Sequence, residues 1–179
     1  MKKLAGLMVG ALALLVVSAV PANAQNMWLS GGYTAQQWGT GGNWNDSQGY
    51  ALDFGYKIHK TSKTAGALFV DFSQNRFDKE IDNETDTSIV GGFREIFFTD
   101  KKIQPFVHAS IGNMHWVEND FDFSGNDLLL GAGVGAQYNF TDKVGAKVQW
   151  DFWKPREDGF WSDPIYRWYF AVVYMWGGK

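Results

Sequence analysis

The chain has 179 residues, no cysteine, 21 glycines, four prolines and 17% aromatic residues, with a formal net charge of −3. One domain is the prior for that length, and zero Cys excludes a disulfide framework, a thiolate metal site and a cysteine nucleophile. The mild acidity argues against a nucleic-acid binder, and a mean hydropathy of −0.25 argues against several membrane-spanning helices.

Residues 1–24 read MKKLAGLMVGALALLVVSAVPANA. Lys2 and Lys3 precede an apolar run from Leu4 to Val20, and Ala22-Asn23-Ala24 offers small residues where a signal peptidase cleaves. A cleaved signal peptide of residues 1–24 is therefore expected, leaving one domain at 25–179. Losing Lys2 and Lys3 takes Lys+Arg from 16 to 14 against 19 Asp+Glu, a net of −5.

After the leader, the dominant pattern has a period of two, the signature of β-strands. Segment 26–36 alternates adequately. Segment 48–58 is the clearest: Tyr50, Leu52, Phe54, Tyr56 and Ile58 share one face, and Gly49, Ala51, Asp53, Gly55 and Lys57 the other. In 64–74, Gly66, Leu68, Val70 and Phe72 oppose Ala67, Phe69, Asp71 and Ser73. Segment 85–98 is ambiguous: if Ile89 and Phe93 face outward so does Glu95, the opposite phase exposes Arg94, and a bulge would reconcile the two. In 103–114, Val107, Ala109 and Ile111 oppose His108, Ser110 and Gly112. In 126–140, Leu128, Leu130, Val134, Tyr138 and Phe140 oppose Gly131, Gly133, Gly135, Gln137 and Asn139. In 144–153, Val148, Trp150 and Phe152 oppose Lys147, Gln149 and Asp151; in 165–176, Tyr166, Trp168, Phe170, Val172, Tyr174 and Trp176 oppose Arg167, Tyr169 and Ala171.

Connections alternate in length. Those at 59–63, 99–102 and 141–143 are short; those near 37–47, 75–84, 115–125 and 154–164 are long and rich in Gly, Asn, Asp and Trp. Eight such strands predict an all-β fold, an eight-stranded antiparallel up-and-down transmembrane β-barrel with both termini on the short-turn side. Volume sets the inward face: eight strands enclose only enough space for side chains to fill, so the larger aromatic face points outward into an apolar medium. Tyr50, Trp150 and Trp168 then form a girdle towards the long loops, and Tyr56, Phe140, Tyr174 and Trp176 one towards the short turns. The interior collects Asp53, Lys57, Asp71, Lys147, Gln149, Asp151 and Arg167, with Arg94 if its segment is so phased. Both signs of charge predict a salt-bridge and hydrogen-bond network filling the lumen, because buried charges must pair.

The leader, IQPFVHASIG at 103–112, LLLGAGVGAQYNFTDKVGAKVQWDF at 128–152 and YFAVVYMW at 169–176 together resemble the small outer-membrane β-barrel superfamily of Gram-negative bacteria, the OmpA/OmpX and opacity-protein kind. The resemblance implies residence in the outer membrane, contact with its lipid and lipopolysaccharide, and assembly through the last strand by the barrel-assembly machinery. Members usually end on an aromatic residue. Trp176 matches, and Gly177-Gly178-Lys179 departs from that pattern. The same segments resemble lipid A deacylase barrels, whose His-x-Ser pair falls here on Trp150 and Phe152, neither a base nor a nucleophile. His108-Ala109-Ser110 is a second His-x-Ser, but on the inner face near mid-membrane, where a hydrogen-bonded interior pair is the favoured reading.

The long loops add acids: Asp78, Glu80, Asp82, Glu84 and Asp86 in the second, and Glu118, Asp120, Asp122 and Asp127 in the third, the latter with His115 as an exposed polar pair to Glu118. They read as solvated surface or as holders of divalent cations bridging to lipopolysaccharide phosphates; no EF-hand spacing is present. Trp38, Trp44, Phe160 and Trp161 read as exposed rings for lipid headgroups, sugars or a partner protein, with an extracellular ligand at the loops. The expectation is a non-enzymatic structural or surface-interaction barrel with no cofactor, no dedicated metal and no nucleic-acid partner. Its alternatives are an enzyme modifying lipid A and a narrow channel for small or hydrophobic solutes.

Overall fold

The computed structural model describes residues 27–39, 47–77, 84–118, 123–157 and 159–176. Nine strands follow in order: β1 (Met27–Trp38), β2 (Ser47–Lys60), β3 (Thr64–Phe77), β4 (Glu84–Phe97), β5 (Ile103–Glu118), β6 (Phe123–Asn139), β7 (Val144–Glu157), β8 (Phe160–Trp161) and β9 (Ile165–Trp176). Each of β1 to β7 pairs antiparallel with the next, β7 pairs with β9, and β9 pairs with β1. Eight strands thus close into a barrel, as the alternation predicts. The two-residue β8 pairs with the far end of β7 and forms a hairpin above the ring.

The strands reach further into the long connections than the pattern suggests. Glu84 and Asp86 lie in β4, His115 and Glu118 in β5, and Asp127 in β6 rather than in loops, because ladder bonding continues past the last alternating apolar residue. Of the remaining loop residues singled out above, Trp44, Asp78, Glu80, Asp82, Asp120 and Asp122 lie outside the described residues, as do the leader and Gly177-Gly178-Lys179. Segment 85–98 needs no bulge: β4 keeps continuous register with both neighbours, placing Ile89 and Phe93 outward and Arg94 in the lumen. Glu95 therefore faces out, near the short-turn end. The irregularity lies instead in β2, where register slips between Lys57 and His59.

The outer surface carries Leu52, Val70, Ile89, Ile111, Val134 and Val172, all exposed. Such a continuous apolar belt is incompatible with water and suits hydrocarbon. Not every large ring lies outside, which corrects the volume argument. Trp28, Phe69, Phe106, Trp153 and Tyr169 are buried in the lumen. They fit because glycines face them: a side chain at Gly55 would overlap Trp28, one at Gly131 Trp153, and one at Gly135 Phe106. Glycine on the inner face makes the room that an aromatic ring on an adjacent strand occupies.

The interior is layered. Near the short turns Trp28, Ala65, Ala67, Phe69, Ile96, Phe106 and Val173 form one apolar cluster. Near the long loops Val90, Met114, Leu129, Trp153 and Ile165 form another, with Trp38 and Trp116 packed against it. Trp38 is thus not an exposed loop ring: it ends β1 and meets Phe77 edge-on at 5.9 Å between centroids. Phe160 and Trp161 on β8 are exposed, Phe160 at 79%.

Candidate functional site

Between the two apolar layers lies a belt of charge. Period-two geometry sends Asp53 of β2 and Asp71 of β3 inward, and register sets them directly opposite each other. Like charges so placed repel, unless each is drawn to a cation. Asp53 Oδ2 accepts from Arg94 Nη1 at 3.0 Å and from the Lys147 ammonium. Trp28 Nε1 and Ser30 Oγ donate to the same oxygen, each at 3.3 Å. Asp71 is held by a two-pronged bond from Arg167, with Nη1 to Oδ1 at 2.7 Å and Nη2 to Oδ2 at 3.0 Å. The Arg167 Nε donates to Asp151 Oδ2 at 2.8 Å.

Gln149 joins the halves. Arg94 Nη2 donates to its Oε1 at 3.1 Å, and its Nε2 donates to Asp151 Oδ1 at 3.0 Å. Three carboxylates (Asp53, Asp71, Asp151) therefore meet three cationic side chains (Arg94, Lys147, Arg167), and the belt is balanced in formal charge. Aromatic faces complete the solvation of the cations. The Arg94 guanidinium carbon lies 4.6 Å from the Phe69 centroid and 4.5 Å from that of Phe106; that of Arg167 lies 4.1 Å from Trp153, and Lys147 Nζ lies 4.3 Å from Tyr169. Buried cation–π contacts of this kind contribute about 2 kcal/mol each when desolvated. The six charged groups are essentially inaccessible, from 0% exposure at Asp53 to 3% at Lys147.

Seven of the eight residues expected in the network (Asp53, Asp71, Arg94, Lys147, Gln149, Asp151, Arg167) are brought together. Lys57 is not: it lies beyond the short-turn apolar layer and lines the mouth below. His108 joins instead. Its Nε2 lies 2.8 Å from Asp151 Oδ1, so the expected bond to Ser110 is replaced. Side chains two apart on one strand face stand side by side, whereas Gly133 of β6 lies between His108 and Asp151 and lets them meet across it; a Cβ there would come within 2.5 Å of both. Among the described residues neither His108 Nδ1 nor Ser110 Oγ has a hydrogen-bond partner. Sequence reasoning also missed Trp28, Ser30 and Tyr169 as members; the inward parity of Tyr169 beside Arg167 was the available signal.

Of the girdle residues, Tyr50, Tyr56, Phe140 and Tyr174 are exposed on the outer side. Phe140 follows β6 in the turn and meets Tyr138 edge-on at 5.2 Å. Tyr174 meets Trp176 at 5.0 Å, and Trp168 stacks on Phe170 at 6.1 Å. Because β7 runs on to Glu157, Trp150 lies mid-strand and not at the rim, stacked on Tyr166 at 5.9 Å.

At the long-loop mouth Asp86 is buried beside Glu84 and Asp127. The outer face of β4 carries Thr85 and Thr87 here and turns apolar only from Ile89, so Asp86 stands above the apolar belt. Burial first, then the charges of Glu84 and Asp127, hold its carboxyl well above the usual carboxylate range. A carboxyl that binds its proton more tightly folded than unfolded favours folding fully in acid, and that contribution fades as pH rises through the folded value. Asp86→Asn is accordingly expected to raise the thermal midpoint at neutral pH and to flatten the loss of stability between mildly acidic and neutral buffer. An unchanged pH profile contradicts the assignment. His115, by contrast, faces outward, with Nδ1 3.0 Å from the Gly125 carbonyl oxygen and 3.2 Å from Asn126 Oδ1, and forms no hydrogen bond or ion pair with Glu118. Among the described residues no three carboxylate or imidazole groups converge as a metal site.

The family model for the outer membrane protein beta-barrel domain matches residues 9–155. No curated protein matches the sequence. Solved structures share the fold: Neisserial surface protein A superposes with a TM-score of 0.64 at 12% identity, over 83% of this chain and 96% of that one. The attachment invasion locus protein Ail of Yersinia pestis gives 0.59 at 14% identity, over 85% and 99%. Its complex with the heparin analogue sucrose octasulfate gives 0.57 at 15%, over 84% and 98%. The outer membrane enzyme PagL gives 0.55 at 16%, over 83% and 99%. A closed eight-stranded ring, an apolar outer belt and a family match over most of the length converge: the chain belongs to the outer membrane protein beta-barrel family and is a protein of the bacterial outer membrane.

Proposed function

We propose that this barrel is a non-enzymatic structural and surface-interaction protein, its lumen plugged and its long loops turned to the cell exterior. The observation that carries the reading is the charge-balanced belt of Asp53, Asp71, Arg94, Lys147, Asp151 and Arg167, sandwiched between two apolar clusters. Every charge there has a partner, so the belt serves as filling and leaves no continuous polar path for a solute. The exposed Phe160–Trp161 hairpin, with Arg156 5.5 Å from the Trp161 ring, offers aromatic and cationic contact at the long-loop end. That Ail, a barrel of the same fold, is solved in complex with the heparin analogue sucrose octasulfate supports a polyanionic ligand for this chain. The outward face of β9, from Phe170 to Trp176, is the segment proposed to engage the assembly machinery, and residues 1–24 the signal for export.

Positions aligned with the deacylase pair carry Trp150 and Phe152, and the imidazole of His108 is committed to Asp151 within the lumen. Lipid A mass spectra from cells with and without the protein are expected to be identical; a changed acyl pattern overturns the non-enzymatic reading. In planar bilayers the intact barrel is expected to be electrically silent, and Arg167→Ala to raise the current by opening the belt. Steady conductance by the intact chain supports the channel instead.

A further inference from the structure

Beneath the apolar layer of Trp28, Ile96 and Phe106, the barrel opens at its short-turn mouth into a cavity of ≈ 440 Å³. Lys57, Lys60, Lys101 and Lys102 line it, against Asp100 and Asp142. Asp100 engages Lys101 at 3.3 Å, both of them exposed. Among the described residues Lys57, Lys60 and Lys102 form no ion pair, so the mouth holds an excess of positive charge that the chain's described carboxylates do not answer.

Two local devices build this arrangement. In a regular strand Lys57 and Lys60, three residues apart, face opposite sides. The ladder here runs from Lys57↔Ala67 to His59↔Gly66 and Lys60↔Ala65, so the bulge at Ile58 resets the phase and turns both lysines inward. Bulges of this kind re-aim side chains beside functional sites and at barrel rims. On the facing side Gln104 Nε2 donates to the Thr99 carbonyl at 3.0 Å and to the Lys101 carbonyl at 3.2 Å. The turn carrying Lys101 and Lys102 is thereby braced from within. Two pairs of ammonium groups from separate elements thus border one concave space, roofed by Trp28, Ile96 and Met175.

We propose that this vestibule is a binding site for a phosphate ester presented from the periplasmic side, the side on which the short turns of outer-membrane barrels lie. Compact lysine point charges suit a phosphate, whose three oxygens accept from several donors at once. The volume is that of a small-molecule site, and the apolar roof accepts a modest organic body. The phosphate belongs to a soluble monoester or to an inner-leaflet lipid headgroup, and the chemistry recognised is the same.

The test is amide-shift mapping of the full mature chain in maltoside micelles, which contain no phosphate, titrated with glycerol 3-phosphate and separately with dihexanoyl phosphatidic acid. Saturable shifts confined to the cavity lining are expected. Lys57→Gln and the paired turn variant Lys101→Gln/Lys102→Gln are each expected to weaken binding at least about tenfold, one decade per about 1.4 kcal/mol, while Lys57→Arg retains it. Binding of the soluble probe alone assigns a free monoester; binding of the lipid alone assigns a headgroup. Heat-modified electrophoretic mobility checks that each variant folds. Should Lys57→Gln fail to fold, the exposed turn pair carries the test. No saturable shift with either probe, or an affinity indifferent to the lysines, overturns the proposal.

Discussion

Arg167→Met is expected to destabilise the refolded barrel by about 3–5 kcal/mol, the usual consequence of removing one partner from a buried charge pair. Arg167 is 1% exposed and binds Asp71 through two nitrogens and Asp151 through a third. Without it Asp71 loses its only ion-pair partner among the described residues, and faces Asp53 across the β2–β3 pair. The loss comes chiefly from stranding that carboxylate, since an intact buried pair and an apolar replacement of equal volume are often near parity. The double variant Arg167→Met/Asp71→Asn, which leaves Asp53 and Asp151 balanced by Arg94 and Lys147, is therefore expected to recover much of the loss. Urea unfolding in lipid vesicles, followed by tryptophan fluorescence, measures both. A single variant as stable as the parent would mean that the belt is hydrated and not a plug.

The second large effect concerns the outside. Val70 is 51% exposed and central in the outward set Leu68, Val70 and Phe72 of β3. On a water-exposed strand Val70→Arg would be nearly neutral, within about 0.5 kcal/mol. In hydrocarbon an arginine at mid-depth costs about 2–4 kcal/mol. Vesicle-reconstituted Val70→Arg is expected to show the larger loss, and Phe160→Arg, on the exposed β8 hairpin, essentially none. Equal behaviour of the two would remove the basis for reading the apolar belt as lipid-facing.

Much of the architecture was legible because its causes are local. A strand buried against lipid on one side and packed in a narrow lumen on the other must alternate, and 48–58 and 165–176 do so without interruption. The short HKTSK, TDKK and TDK connections against long ones mark hairpins stacked at opposite ends. The charged residues of the lumen were legible as a face: Asp53, Asp71, Lys147, Asp151 and Arg167 all fall on the inward parity. The exceptions have equally specific causes. Lys60 was read as part of the short connection 59–63; β2 instead runs on through it, and the single extra residue at Ile58, which has no compositional mark, turns it inward. Trp38 looked like a loop ring because nothing nearby in sequence shows Phe77 arriving against it.

By itself, then, the sequence determined the strands, their order, which side of most of them meets lipid, and that opposite charges share the lumen. Those properties follow from residue spacing along one strand and from the volume of the side chains it carries. Only the tertiary structure decided who pairs with whom. Arg94 reaches Asp53 from 41 residues away and Arg167 reaches Asp71 from 96, across a ring whose register and closure involve every strand at once. It also decided that large rings could sit inside, since Trp28, Phe106 and Trp153 fit only where Gly55, Gly135 and Gly131 lie opposite them. Parity along a strand is a one-dimensional property; a partner across the lumen is set by the closed ring.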